Sequence, residues 1–238
     1  MGGVRKAYVM IITGQSNANS HGENLSAYFT IDPTKVHHYN SDDEAFVPYN
    51  SGVMIQNGYE VQAAGLQSEL RGDSIIYVIR VAQGSLDISN WDSPSGMMWT
   101  LLEDAVTNGL SWLRANSFKP VVLSTLWVQG EQDAVVGTAS ATYEAKEQAL
   151  IDNMRALDPV MENMQFISLK LTVGSGGGSY DPNGVTNVNT AKDNVAAAND
   201  NVIAVAPEDI PAPLSVDEVH FVSPDSYLAI GTYWSGLI

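Results

Sequence analysis

The chain has 238 residues, a length that fits one large α/β domain spanning 1–238 with room for a sizeable core. With 27 acids against 11 bases it carries a formal charge of −16 and no Lys/Arg cluster to neutralise phosphates, so neither a nucleic-acid nor a membrane partner is expected. The absence of cysteine excludes disulfides, thiolate catalysis and thiolate metal sites.

Met1-Gly2-Gly3-Val4-Arg5-Lys6 runs straight into an apolar stretch, Ala7–Thr13, that reads as a buried strand. This stretch is too short for the core of a signal peptide, and no transmembrane span follows. The expectation is a cytoplasmic product by default; a virion component or a domain excised from a secreted protein would look the same. Gly14-Gln15-Ser16-Asn17-Ala18 comes next. A glycine at a sharp strand-to-helix turn lifts the following serine off the strand end, among free N–H groups of a helix start. That is the placement of a hydrolase nucleophile, although Ala18 stands where the α/β-hydrolase elbow has its second glycine.

Asn19–Gly58 has weak periodicity and reads as a long connection over the active-site end, with a short strand at Lys35–Tyr39 as one reading. His37 and His38 in this stretch read as loop residues, and His21 as a neighbour of the site with no paired carboxylate. Four more strands are expected at Ser74–Val81, Pro120–Trp127, Gln165–Val173 and Val202–Ala206. Helices are expected at Met97–Asn116, Thr142–Leu157, Val185–Asn199 and Pro224–Leu237, with Ser223 or Pro224 opening the last. Alternating strands and helices imply a parallel sheet covered on both faces, with its chemistry at the carboxyl ends of the strands. Gly174–Ser179 lacks the Lys-Ser/Thr of a phosphate cradle and reads as a flexible loop.

Three clusters fall near strand ends or before the last helix: Gln83-Gly84-Ser85, Trp127-Val128-Gln129-Gly130-Glu131-Gln132-Asp133, and Asp217-Glu218-Val219-His220. Ser16 needs a base, and His220 follows Asp217 at a spacing that a tight loop can fold into a carboxylate–imidazole contact. The N–H groups of Ser16 and Gly84, with the Gln129 side-chain amide, can serve as oxyanion donors. Glu131 has two readings, one within the site and one as an anchor of its turn. Tyr28, Tyr39, Tyr49 and Trp91 can stack on a sugar ring or simply pack in the core. With no H-x-x-x-H spacing and scattered acids, neither a metal site nor a cofactor is expected.

Together these blocks resemble those of the SGNH hydrolase superfamily, and within it the sialate O-acetylesterase-like branch, which includes acetylxylan esterases of carbohydrate esterase family 6. The resemblance runs from Gly14 to His220 in block order. It implies a three-layer α/β sandwich with a five-stranded parallel, flavodoxin-like sheet. It also implies Ser16 as nucleophile, His220 as base, Asp217 as its orienting acid, and Ser16, Gly84 and Gln129 as the oxyanion hole, with Gln15, Asn17 and Glu131 as supporting residues. Val128 departs from the histidine usual before the glutamine, and Gln83-Gly84-Ser85 from the usual second block. The activity implied is removal of O-acetyl groups from a carbohydrate, acetylated xylan or a sialic-acid-like glycan, through an acetyl-enzyme. The alternatives are an esterase acting on other small esters or envelope glycans, and a non-catalytic glycan-binding module of a viral or surface protein.

Overall fold

A computed structural model describes residues 5–19, 32–49, 58–172, 181–211, 220–221 and 223–238. In chain order its elements are β1 (Arg5–Gly14), β2 (Val36–Asn40), β3 (Ala45–Pro48), α1 (Tyr59–Leu70), β4 (Ile76–Ala82), α2 (Met97–Ala115), β5 (Phe118–Val128), α3 (Glu131–Val136), α4 (Ser140–Ala156), β6 (Gln165–Leu169), α5 (Pro182–Ala198), β7 (Val202–Val205) and α6 (Pro224–Leu237).

Tyr8-Val9-Met10-Ile11-Ile12 lacks apolar/polar alternation, as a strand covered on both faces should. It forms the centre of β1, which pairs in parallel with β4 on one side and β5 on the other. The sheet order is β3-β2-β4-β1-β5-β6-β7. Its five long-range parallel strands, β4-β1-β5-β6-β7, reproduce the flavodoxin-like order, whose switch point lies beside the first strand. After β1 the chain fills the flank of β2, β3 and β4 before crossing to β5 on the other, so β4, β1 and β5 end side by side at the carboxyl edge.

The sheet has seven strands and is mixed, where five parallel strands were expected. The two extra ones, β2 and β3, pair antiparallel with each other, and β2 joins the edge parallel to β4. Both are short: β2 falls within a residue of the strand read at Lys35–Tyr39, and β3 is only four residues long, Ala45–Pro48, too short for its pattern to mark it. His37 and His38 accordingly lie on β2, not in a loop. One residue of β5 is skipped in the register between Val9 and Met10, and this shift sets Val128 opposite Gly14 at the site.

Two cores sandwich the sheet. One joins Val9, Ile11 and Tyr77 to the stripe Met98, Leu102, Val106 and Leu110 of α2 and to Tyr143, Ile151, Val188 and Val195 of α4 and α5. The other joins Met10, Ile12 and Val78 to Tyr59 and Ala63 of α1 and Tyr227, Ile230 and Trp234 of α6. Caps set two helix starts: Asp181 accepts from Asn183 N–H at 2.9 Å ahead of α5, and Ser223 from Ser226 N–H at 3.2 Å ahead of α6. Among the described residues no helix is long and apolar enough to cross a membrane.

Candidate active site

Gly14 ends β1 with φ of +140°, and a Cβ built there would lie 1.9 Å from the Val128 carbonyl oxygen. Only glycine lets the strand end close this tightly onto β5. Gln15 N–H donates to Val128 O at 2.9 Å, and Gln83 N–H donates to Gly14 O at 3.1 Å, stitching three strand ends together. The helix start expected at Ser16 is a single turn, closed by Asn19 N–H on the carbonyls of Gln15 and Ser16. Gln15 is buried, and its Oε1 accepts from Gly130 and Gln132 N–H at 3.4 and 3.3 Å, satisfying groups at the start of α3.

At the crest of that turn, Ser16 Oγ lies 3.0 Å from His220 Nε2, although 204 residues separate them in the chain. Asn17 links the same two segments. Its Nδ2 donates to Glu131 Oε1 at 2.6 Å and its Oδ1 accepts Phe221 N–H at 3.2 Å. The two helices on this face hold the arrangement from below. Tyr59 of α1 donates its O–H to Asn17 O, Tyr227 of α6 donates to Phe221 O at 3.0 Å, and the two rings stack 5.6 Å apart.

Gly84 comes next to the nucleophile, since a Cβ on it would sit 3.4 Å from Ser16 Cβ. Among the described residues the N–H groups of Ser16 and Gly84 take no backbone acceptor. Gln129 differs from the expectation of a third oxyanion donor. It is 0% exposed, and both hydrogens of its Nε2 are taken, by Leu86 O at 3.1 Å and Asp133 Oδ2 at 2.6 Å. Its Oε1 accepts Tyr143 O–H at 2.7 Å, which fixes the amide's orientation. In this geometry Gln129 braces the loop that carries Gly84.

Asp133 completes the brace by accepting Ile88 N–H and Thr138 O–H, both at 2.9 Å. Burial pushes the pKa of Asp133 up while these donors and Gln129 oppose the rise. Glu131 is also raised by burial, against the pull of Asn17 and then of Lys192. Trp91 is 2% exposed, donates Nε1–H to Thr13 Oγ1 at 3.1 Å and meets Trp127 edge-on, so it is core and not a sugar platform. Tyr49 is likewise buried, and Tyr39 packs on Phe46.

Asp217, His21, Tyr28 and the Gly174–Ser179 loop lie outside the described residues. Sequence reasoning missed Thr13, Tyr59, Tyr143 and Lys192. Their side chains act through partners far along the chain, and no local spacing marks them. Asp133 stood in a quoted motif without a role. Among the described residues no group of three or more His, Asp or Glu could hold a metal ion.

Residues 6–234 match the family model described as carbohydrate esterase, sialic acid-specific acetylesterase. The chain belongs to this family. No curated protein matches the chain. Among solved structures, this acetylesterase-family chain is similar to a protein from Arabidopsis thaliana at 17% identity and TM-score 0.70, over 98% of this chain and 97% of that one. It is similar to NanS at 12% identity and TM-score 0.72, over 100% and 98% of the two chains. A carbohydrate acetylesterase from Xanthomonas citri matches at 15% identity and TM-score 0.64, over 95% of this chain and 54% of that chain. At such identities the likeness to these structures is one of fold, and the fold is that of SGNH-type esterases. In this member of the family Val128 is buried in the core on the α1/α6 side, so its side chain fills space beneath the site.

Proposed function

We propose that this acetylesterase-family chain is a serine esterase that removes O-acetyl groups from a carbohydrate through an acetyl-enzyme. The observation that carries the reading is the 3.0 Å contact between Ser16 Oγ and His220 Nε2 at the carboxyl edge of the sheet. At that distance the imidazole accepts the hydroxyl proton as Oγ attacks the acetyl carbonyl. The carbonyl oxygen, turned to oxyanion, meets the N–H groups of Ser16 and Gly84; one such donor is worth about 3 kcal/mol of transition-state stabilisation. The imidazolium then gives its proton to the departing sugar oxygen. Water, deprotonated by His220, releases acetate and restores Ser16. In this scheme Asp217 orients the imidazole and stabilises its charge. Gln15, Asn17 and Glu131 hold the backbone around the nucleophile, and no step calls on a metal or a cofactor. Acetylated xylan and acetylated sialic-acid-like glycans are the substrate classes to try first, since triad chemistry leaves the alcohol side open.

The test is hydrolysis of p-nitrophenyl acetate, butyrate and octanoate by wild type and Ser16→Ala. Turnover of acetate that is lost in Ser16→Ala is expected, with little turnover of the octanoate. Unchanged turnover in Ser16→Ala removes Ser16 as nucleophile, and no turnover by wild type moves a non-catalytic glycan-binding role to the front. Comparing acetylated xylan with acetylated sialic acid then separates the two glycans.

A further inference from the structure

Four ionisable side chains are shut off from solvent around the Trp127–Glu131 segment: Glu131 and Asp133 of α3, Glu147 of α4 and Lys192 of α5. Lys192 is 0% exposed. Its Nζ donates to Ser168 Oγ at 3.0 Å, and that hydroxyl donates to Glu147 Oε1 at 2.6 Å. The rings of Trp127 and Tyr143 lie 6.0 and 5.7 Å from the ammonium. No salt bridge to it forms among the described residues. Glu131 uses Oε1 for Asn17, while its Oε2, like Oε2 of Glu147, is buried with no hydrogen-bond partner.

A buried ammonium with one hydroxyl acceptor is costly by itself, and so is a buried carboxylate with one donor. Together, across a low-dielectric core, each lowers the cost of the other's charge. We propose that Lys192 is a positioning residue for the active site: its buried ammonium keeps Glu131 ionised, and ionised Glu131 holds Asn17 and, through it, the segment carrying His220. The proposal rests on the reading of His220 as base. An ionised acceptor makes the shorter, stronger bond to the Asn17 amide. A proton on Glu131 Oε2 would be a buried donor with nothing to accept it.

The other groups that face this pair leave the assignment intact. Burial raises Glu131 and Glu147, and Lys192 pulls both back down. Burial lowers Lys192, while Glu147 first, then Glu131 and Asp133, hold it charged; Asp133 also pushes Glu131 up. Tyr59 and Tyr143, pushed far up by burial, face Glu131 as neutral phenols.

The experiment is kcat and KM for p-nitrophenyl acetate from pH 5 to 9 for wild type, Lys192→Met, Lys192→Arg, Glu131→Gln and Glu131→Gln/Lys192→Met. In Lys192→Met, kcat at neutral pH falls by about tenfold or more while KM is held. Its acid limb moves to higher pH by about one unit or more, because Glu131 now holds its proton longer. Lys192→Arg restores most of the activity, and the double variant follows the profile of Glu131→Gln without the displacement. A Lys192→Met profile that coincides with wild type overturns the proposal. So does a displacement that survives in the double variant, which assigns it to Glu147 or Asp133. Should Lys192→Met fail to fold, Lys192→Gln takes its place, and the Glu131 carboxyl carbon shift followed by NMR through the same pH range reads its proton directly. Full activity in Ser16→Ala would instead defeat the catalytic reading itself. An inactive Ser16→Ala beside an unmoved Lys192→Met profile defeats this proposal alone.

Discussion

Asn17 uses both ends of its amide inside the protein, on Glu131 at 2.6 Å and on Phe221 N–H at 3.2 Å. Removing it in Asn17→Ala leaves a buried carboxylate and a buried N–H without partners, so unfolding in urea should show a loss of about 2–3 kcal/mol. As His220 immediately precedes that N–H in sequence, kcat on p-nitrophenyl acetate should fall by about tenfold as well. Asn17→Asp sharpens the case, because it sets a second carboxylate against Glu131. Two such groups relieve their repulsion by sharing one proton, so the variant's folded state binds a proton that its unfolded state releases. The stability deficit of Asn17→Asp against wild type should therefore shrink from pH 8 to pH 5; a deficit constant across that range would show that the two side chains do not meet. As letters, Asn17 and Glu131 stand out in their motifs, but that each is the other's partner across 114 residues is a product of the fold. The same holds for Gln129. Its position in the motif suggests a donor to substrate, and only the placement of Leu86, Asp133 and Tyr143 around it shows the amide fully engaged.

Among the elements, the end of β1 is the most exacting, and two glycines separate the effects at work. Gly72 has φ of +65° with nothing within 4 Å of a built Cβ, so Gly72→Ala should cost only the left-handed strain of about 1–2 kcal/mol. Gly14→Ala adds a collision at 1.9 Å with the Val128 carbonyl, and the backbone must part there. A loss above about 4 kcal/mol is expected, with the Gln15 N–H to Val128 bond broken and activity gone. Equal losses for the two variants by urea unfolding would mean that the strand ends are not closed as described. The core strands and the helices α2, α4 and α6 were legible because each shows either an apolar run or a stripe at helical spacing. Helix α1 was not, since it is wedged between the sheet and α6, and burial on nearly every side leaves it no polar face. Helix α5 starts at Pro182, three residues before the first apolar position that suggested it, because its cap is Asp181. Helix α3 read as a turn. At six residues it is too short for a period, and its first residues face inward as Glu131 and Asp133.

At the scale of the whole molecule, a chain rich in acids also buries a base, His38, whose titration bears on stability in acid. His38 on β2 is 2% exposed, packs 5.6 Å from the Tyr49 ring and has no hydrogen bond on either ring nitrogen among the described residues. Burial, then the nearby Arg80 and His37, lower its pKa from 6.5 to about 3. The unfolded chain thus takes up a proton on this histidine as pH falls below about 6.5, while the folded chain refuses it until about pH 3. The stability that neutral His38 contributes is therefore present above pH 6.5 and drains away in the window below it, by about 1.4 kcal/mol per pH unit. The buried carboxylates Glu131, Asp133 and Glu147, raised by burial, act with the opposite sign: their folded forms hold protons that the unfolded chain gives up, so their contribution is lost as pH rises. A difference measurement cancels them. In His38→Phe, with His38→Leu as the smaller companion, the urea-unfolding free energy relative to wild type should climb steadily from pH 7 to pH 4. The β3-β2 flank of the sheet would then be where acid first opens the fold. Curves for variant and wild type that stay parallel through that window would mean that His38 takes up its proton in the folded state, and that the flank beside Arg80 admits water.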